Sequence, residues 1–507
     1  MTATLDLYDI QGDVIKAYGR FGFPVSRYVF LQFIDGRKAR AFLQALSPMI
    51  TTAATWGDGP DMVKRPECTL NIAFTYNGLK AVEVPRESLR GFPTDFIMGM
   101  RARKDILGDD GPSDPQNWDP VWHKEVHCLV SLNAQRPNFM EERYKWLLQQ
   151  IDNAEGGVQL LEGHRGADGK DDLAYQEGHV LFDDKGNPTS MEHFGYTDGI
   201  GDPVFEGLPD VKERVVGRGK QTVVGGDGGW EPLATGEFLL GHIDEAHEYP
   251  PAPMPTTLSR NSTYMVYRKL HENVGTFNNY LDEQSKIFPG SKELLAAKFV
   301  GRWRDNGAPL TEAWDEASKA AWDARFAKAS PAEQDKMLAG VVFDNDIDGS
   351  KCPFSAHIRR INPRASLEFG VKDAFDTPGS LANRRRLLRR GLPYGYSKPG
   401  QTGDDGDHGI IIMMINASIE RQFEFVQQQW INYGNDFKAG NDKEILLGNH
   451  DAKDPGRAVF AVDAKSENPP FFLNKIPRLV ETRGGEYFFI PSISALNLIA
   501  DGKVDPT

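Results

Sequence analysis

Cysteine is scarce in this sequence: among 507 residues there are three, Cys68, Cys128 and Cys352. Widely separated thiols in this number are too few for a disulfide framework or for a cysteine-ligated zinc site. We interpret them as buried thiols of a reducing compartment and expect a cytoplasmic protein.

Long apolar runs are also missing. The most apolar stretch, "GIIIMMI" at 409–415, is far shorter than the roughly 20 residues that a membrane-spanning helix needs. The first residues, "MTATLDLYDIQGD", lack the basic segment followed by an apolar core that marks a secretory signal. The sequence therefore predicts no association with a membrane.

An excess of positive charge is likewise absent. The chain has 58 Lys plus Arg against 72 Asp plus Glu, a formal net charge of −14. Such a field repels phosphate backbones, so we expect no nucleic-acid partner. No motif in the sequence defines an oligomeric state.

Strands and helices with regular spacing occur in both halves of the chain. Alternating apolar residues predict half-buried strands at "RYVFLQF" near 30 and "TLNIAFTY" near 70, with an amphipathic helix between them. In the second half, "STYMVYRKL" and "GIIIMMINAS" read as strands, and "SIERQFEFVQQQW" as a helix with Ile419, Phe423, Val426 and Trp430 in one stripe. We predict an α+β protein with two similar sandwich units in tandem.

A glycine-rich stretch at 217–232, "GRGKQTVVGGDGGWEP", is unsuited to regular structure and sets the predicted boundary. The two units would cover residues 1–216 and 233–507. A helical insertion near 311–340, with a "SPAE" helix start at Ser330, reads as a solvated surface rather than a site.

One carboxylate, Asp198, lies among glycines in "FGYTDGIGDP", with Gly195, Gly199 and Gly201 around it. An ordinary turn explains many such clusters. Three glycines within seven residues also suit a backbone that a bulky ligand approaches closely. Both readings stay open on this stretch alone.

Two further segments combine positive charge with special residues. In "KCPFSAHIRRINPR", His357 precedes Arg359, Arg360 and Arg364. Haem needs an axial nitrogen and cations for its propionates, although a plain helix-end histidine is an alternative. In "NRRRLLRRGLPYG" five arginines fall between 384 and 390. A nucleic-acid patch is one reading, but the acidic chain and the interleaved leucines favour a buried anion.

Together these segments resemble the dye-decolorizing peroxidases, haem enzymes of the chlorite dismutase superfamily. "GYTDG" is similar to their glycine, two residues, aspartate, glycine signature, "CPFSAHIRRINPR" to their proximal-histidine segment and "RRLLRRGLPYG" to their distal-arginine segment. Further similar stretches are "DIQGDV", "GEFLLGHIDE", "FVGRWRDNGAP" and "YFFIPSISAL". The resemblance spans nearly the whole chain and suggests the larger fungal and bacterial branch.

The resemblance implies two tandem ferredoxin-like domains, haem b as cofactor, and hydrogen peroxide and organic electron donors as partners. His357 would be the axial ligand of the haem iron. Asp198 and Arg389 would be catalytic, with Arg390 as the alternative arginine. The remaining expected roles are cofactor contacts at Gly195, Gly199, Arg360 and Arg364, a hydrogen-bond partner of His357 at Glu420, and a radical site at Tyr394.

The expected function is a peroxidase that oxidises bulky compounds such as dyes and phenols in one-electron steps. A haem-binding or haem-handling protein without significant turnover is the alternative. It would need the axial ligand but not a distal acid with an arginine, so the Asp198 and Arg389 pair favours the enzyme. A different oxidant chemistry on the same fold is a third option.

Overall fold

The computed structural model describes residues 4–60, 62–166, 169–222, 229–368, 379–397, 402–451, 453–462, 464 and 468–505. The structure describes both ends of the segment 217–232, the predicted boundary between the two units. Its centre, residues 223–228, lies outside the described residues.

The strands carry the predicted apolar runs. They are β1 Val25–Phe33, β2 Cys68–Phe74, β3 Cys128–Ala134, β4 Val158–Leu160, β5 Gln176–His179, β6 Lys220–Gln221, β7 Trp230–Glu231, β8 Thr263–Glu272, β9 Leu388–Arg390, β10 Pro393–Tyr394, β11 Gly409–Asn416, β12 Gly456–Phe460, β13 Phe471–Ile476 and β14 Val480–Ile490.

The helices vary from single turns to 17 residues. They are α1 Gly12–Ile15, α2 Gly36–Leu46, α3 Tyr76–Ala81, α4 Arg86–Leu89, α5 Thr94–Met98, α6 Lys104–Leu107, α7 Pro137–Asn153, α8 Val211–Arg214, α9 Thr256–Ser259, α10 Val274–Ser285, α11 Lys292–Val300, α12 Glu316–Phe326, α13 Pro331–Ala339, α14 His357–Ile361, α15 Ser380–Asn383 and α16 Ile493–Asp501. None of the described helices is both long and apolar enough to cross a membrane.

A ten-stranded sheet organises the part of the chain that the structure describes. Its longest path runs β10, β11, β8, β14, β2, β3, β1, β4, with β5 beside β1 and β9 beside β11. The first five strands therefore form one side and β8 to β11 with β14 form the other, while β6 with β7 and β12 with β13 form separate two-stranded sheets. The sides meet where Phe489 of β14 pairs with Phe74 of β2. The predicted α+β class is confirmed, and both halves share one large apolar core.

Strand β2 is more deeply buried than its alternating pattern predicts. All seven of its residues are buried, so the expectation of a half-buried strand is wrong here. Polar groups of the N-terminal segment cover the second face: the Asn71 side chain donates to Thr51 O at 2.9 Å and accepts from Tyr18 Oη at 3.0 Å. These bonds satisfy a polar residue that would otherwise be costly to bury.

The predicted helix after β11 has its apolar stripe buried as expected, with Ile419, Phe423, Val426 and Trp430 all below 5% exposure. Its backbone is π-helical over Glu420–Glu424 and Val426–Ile431. Wider helical turns of this kind occur often at functional sites.

The helical insertion contains α12 and α13, and Ser330 caps α13 through the predicted capping box with Glu333. Its interpretation as a solvated surface away from any site is wrong at one end. The carbonyls of Leu338 and Ala339, at the last turn of α13, accept hydrogen bonds from two cavity-lining arginines, Arg302 and Arg364. A helix C-terminus carries partial negative charge and suits such cations.

Candidate active site

A large cavity lies against the later half of the sheet. Strand β8 lines it with alternate residues Arg268, Leu270 and Glu272, and β11 does the same with Ile410, Ile412 and Met414. Alternate residues of a strand share one face, so each strand presents a continuous wall. The turn that contains Asp198, helix α14 and the π-helical segment supply the other walls.

Asp198 is held in the cavity wall by its own turn. Its backbone N–H donates to Ser190 O at 2.7 Å, and its Oδ1 accepts from Gly199 N at 2.5 Å. Arg389 Nη1 donates to the same Oδ1 at 2.9 Å, while Nη2 donates to Ile200 O at 3.2 Å. The side chain of Asp198 remains 42% exposed. Oδ1 therefore anchors the carboxylate, and the side chain stays accessible.

Arg389 and Arg390 are neighbours in β9, so their side chains point to opposite faces. Arg389 lines the cavity with Asp198. Arg390 is buried elsewhere: it pairs with Asp202 Oδ2 at 2.9 Å and donates to the carbonyls of Asp13 and Val14. Of the two arginines weighed from the sequence, the structure brings Arg389 to the site.

His357, the first residue of α14, lines the same cavity. Its Nδ1 lies 3.4 Å from Glu444 Oε1. Glu420, the partner predicted from the sequence, is exposed, and its backbone N–H bonds Asp95 instead. That prediction is wrong because Glu444 comes from the loop beyond the π-helical segment, whose position helical spacing does not encode.

The Glu444 carboxyl group is buried, and burial alone raises a carboxyl pKa. The nearby ring of His357, together with the backbone N–H groups of Leu446 and Leu447, outweighs burial and holds the Glu444 pKa below its usual range. Glu444 is therefore an anion facing the ring nitrogen of His357. The other ring nitrogen is left for a ligand.

Three arginines, Arg302, Arg364 and Arg386, converge on one end of the cavity, where Arg302 and Arg386 are buried and Arg364 is partly buried. Sequence reasoning selected only Arg364. Their guanidinium groups donate to backbone carbonyls: Gly307 and Leu338 for Arg302, Gly217 and Ala339 for Arg364, Gly219 and Arg218 for Arg386. Within the described ranges none of the three forms an ion pair with a carboxylate.

Burial lowers the pKa of Arg302 and of Arg386 to about 10. The pKa of Arg364 falls well below its usual value because of burial and because the other two guanidinium groups repel it. Its Nη1 is buried with no partner among the described residues. Buried cations are normally paired, so this end of the cavity is suited to an anion.

Two predicted cofactor contacts are not in the cavity wall. Arg360 is buried in the packing below α14, where it donates to the carbonyls of Phe354, Trp430, Tyr433 and Asp442. All three guanidinium nitrogens donate to backbone carbonyls, so the prediction of a cofactor contact is wrong.

Gly195 is also absent from the cavity lining, and a Cβ there would lie 3.7 Å from Arg304 Cδ, an ordinary contact. Its φ of +91°, which favours glycine, explains this residue better than a need to leave space for a cofactor. Gly199 and Gly201 do line the cavity, and a Cβ on Gly201 would meet open space.

Tyr394 lies one layer behind the cavity. It is 1% exposed, and its hydroxyl donates to the carbonyl of Leu270, a cavity residue, at 3.2 Å. The ammonium of Lys269 lies 4.7 Å from its ring centroid. Tyr396, two residues on, is 74% exposed and stacks on His179.

The donor set of the cavity fits haem. An imidazole with one nitrogen oriented by a carboxylate suits an axial iron ligand. Buried guanidinium groups without carboxylate partners suit two propionates. Apolar side chains between these groups, including Ile358, Val426 and Leu446, suit the macrocycle.

The comparisons with known proteins agree with this site. Residues 9–165 match the family model of the DyP dimeric alpha+beta barrel domain. Peroxidase 2 of Mycetinis scorodonius is 27% identical over 97% of this chain and 87% of its own. The multifunctional dye peroxidase DyP2 of an Amycolatopsis species is 27% identical over 97% of this chain and 95% of its own.

Solved structures give the same result. An ancestral D-type dye decolorizing peroxidase superposes with a TM-score of 0.73 at 26% identity, covering 97% of this chain and 99% of that one. Fold, cavity and relatives together define the class of this protein, a peroxidase. Over 97% of its length the chain is similar to dye-decolorizing peroxidases.

Proposed function

We propose that this protein binds haem b, reduces hydrogen peroxide and oxidises bulky organic donors such as dyes and phenols in one-electron steps. The observation that carries the proposal is that one cavity is lined by His357, by the Asp198–Arg389 pair and by the unpaired arginines. Haem supplies, when bound, the iron at which peroxide is reduced.

The protein's own groups have separate tasks in this proposal. His357 holds the iron, and Glu444 accepts from its other ring nitrogen, which makes the ligand more basic. Arg364, with Arg302 and Arg386, holds the propionates. Gly199 and Gly201 form the part of the turn that faces the macrocycle.

Asp198 is the proposed proton-transfer residue for hydrogen peroxide. Its carboxylate would accept one proton of hydrogen peroxide and return it to the oxygen that leaves as water. Arg389, 2.9 Å away, favours the ionised carboxylate that accepts the proton and stabilises negative charge on the leaving oxygen.

Donor class follows from the relatives. Two curated relatives are named dye peroxidases. A family structure of 22% identity and TM-score 0.71 was solved as a complex with 2,6-dimethoxyphenol. Dyes and phenols are the donors we assign here, with Tyr394 as the proposed radical site for donors too large for the cavity. The three free cysteines are buried, in keeping with the expected reducing, cytoplasmic compartment.

A haem-handling protein is the second candidate, because His357 and the arginines alone would retain haem. The test loads the protein with one equivalent of haem and records the absorbance spectrum before and after one equivalent of hydrogen peroxide. The proposal expects a Soret band that changes with peroxide and returns when 2,6-dimethoxyphenol is added. Stable haem binding without either change would establish the second candidate instead.

A further inference from the structure

Two glutamates that the proposed peroxide step does not use also line the cavity. Glu272 is the last residue of β8 and is buried, and Glu192 lies in the turn that leads to Asp198. Both carboxyl groups accept from backbone N–H groups of the same turn, Glu272 from His193 and Glu192 from Phe194 and Tyr196, so the turn brings them together. Two carboxylates in such a contact share a proton, because two adjacent negative charges away from water are strongly disfavoured.

The backbone donors around the pair indicate which residue carries the proton. Glu192 accepts from two N–H groups, Tyr196 N at Oε1 and 2.7 Å and Phe194 N at Oε2 and 2.8 Å. Glu272 accepts from His193 N at 3.2 Å. Donors favour the ionised form, so Glu192 is the carboxylate and Glu272 is the acid that donates to it.

Burial and the neighbouring charge act in the same direction. Burial raises the pKa of both glutamates, and the negative charge of Asp198 raises both further. The contact between them raises the pKa of Glu272 and lowers that of Glu192. The other titratable or charged groups near the pair are Arg304 and Tyr196 beside Glu192 and Tyr394 beside Glu272, whereas His193 and His408 contact Glu272 through backbone atoms.

We propose that Glu272, paired with Glu192 in the cavity wall beside Asp198, stores the proton that recharges Asp198 during turnover. The Glu272 O–H bond breaks, its electron pair stays on Glu272, and the proton passes to an Asp198 oxygen directly or through water. Asp198 then holds it for an oxygen atom that leaves as water, and solvent reprotonates Glu272. This inference rests on the proposed peroxidase function.

The need for such a store follows from stoichiometry. Reducing one hydrogen peroxide to two water molecules consumes two electrons and two protons. A phenol releases a proton with each electron, whereas ferrocyanide releases only the electron. With ferrocyanide, both protons must come from solvent through the protein, so Glu272 acts as a positioning residue for protons that reach Asp198.

Glu272→Gln is the informative variant because an amide keeps a donor toward Glu192 and removes the transferable proton. Glu486→Gln is the matched control: Glu486 is a carboxyl of raised pKa on β14, bonded to Met100 N, and it is not among the cavity-lining residues. Both variants are compared as haem-loaded protein, with the Soret band and thermal unfolding as checks of integrity.

The first readout is the infrared spectrum of resting protein, without turnover. We expect the parent and Glu486→Gln to show the carbonyl stretch of a protonated acid that shifts in heavy water and that Glu272→Gln lacks. The second readout is turnover. We expect Glu272→Gln to slow ferrocyanide oxidation on the order of 10²-fold and 2,6-dimethoxyphenol oxidation several-fold less.

Four outcomes would overturn the proposal. If no acid band depends on Glu272, the two glutamates do not share a proton. A band accompanied by unchanged ferrocyanide turnover, or by equal losses with both donors, leaves Glu272 a structural role only. If the parent oxidises neither donor, the proposed function fails and proton delivery fails with it, whereas normal parent turnover confines a failure to Glu272.

Discussion

Single residues decide which chemistry this cavity can perform, and His357 shows how a neighbour adjusts a ligand. Its Nδ1 faces Glu444 at 3.4 Å, and an anionic partner makes an imidazole a stronger electron donor to iron. Glu420 is exposed on the surface. These two acids therefore provide a matched comparison.

Glu444→Gln should raise the reduction potential of the bound haem and slow its reaction with peroxide about 10- to 100-fold. Glu420→Gln should leave both unchanged. Spectroelectrochemistry and rapid mixing measure the two quantities. If Glu420→Gln shifted the reduction potential and Glu444→Gln did not, Glu420 would be the partner of His357, as helical spacing suggested.

At the scale of single residues, the sequence predicts the site residues that stand in recognisable motifs. It does not predict the site residues that only tertiary packing brings into the cavity. Asp198, His357 and Arg389 stand in recognisable segments and reach one cavity. Glu444 and Arg302 lie far along the chain from those segments, so their approach depends on tertiary packing. Arg360 looked equivalent to Arg364, but α14 directs it into the packing of the π-helical segment.

At the scale of elements, strand alternation sorts the site residues. It separates Arg389 from Arg390 and places Arg268, Leu270 and Glu272 on one face of β8. Apolar runs predicted β1, β2, β8 and β11. The pairing of β2 with β14 joins residues more than 400 positions apart through Phe74 and Phe489, which no local pattern encodes.

The short strand β10 places Tyr394 between the cavity residue Leu270 and the exposed Tyr396. Tyr394→Phe should lower turnover of large dyes while leaving the peroxide reaction and small donors nearly intact. Trp430→Phe, which changes another buried aromatic residue, serves as control. Equal dye turnover in Tyr394→Phe and parent would leave Tyr394 a packing role, and Tyr396 would become the candidate.

The contact between the end of β8 and the Asp198 turn should also be visible in stability. Because the pKa of Glu272 is raised by folding, the folded state binds more protons than the unfolded state above the ordinary glutamate value of about 4.3. The free energy of unfolding should therefore fall for the parent relative to Glu272→Gln as pH rises from there toward neutrality. Urea titrations at several pH values measure this difference, and a difference independent of pH would contradict the raised pKa.

At the scale of the whole molecule, the cavity concentrates positive charge inside an acidic protein of formal charge −14. Arg302, Arg364 and Arg386 repel one another where water does not screen them. Haem propionates would relieve this repulsion, so haem binding and folding stability are linked. A ligand at 1,000 times its Kd stabilises a protein by about 4 kcal/mol.

Haem should therefore raise the melting temperature of the parent, and Arg386→Leu should reduce that rise. Arg218→Leu is the control, because Arg218 pairs with Asp335 and does not line the cavity. Differential scanning calorimetry with and without haem gives the comparison. An equal rise in parent and Arg386→Leu would show that this arginine does not hold the cofactor.

The central claim is that one cavity separates cofactor binding from proton transfer, with His357 for the first and Asp198 with Arg389 for the second. The most direct measurement is the rate of the Soret change after mixing haem-loaded protein with hydrogen peroxide, compared between parent, Asp198→Asn and Arg389→Leu. Both variants should retain haem, as His357→Ala should not, and react about 10²-fold or more slowly. Asp198→Asn and Arg389→Leu proteins that hold haem and react as fast as the parent would contradict the account.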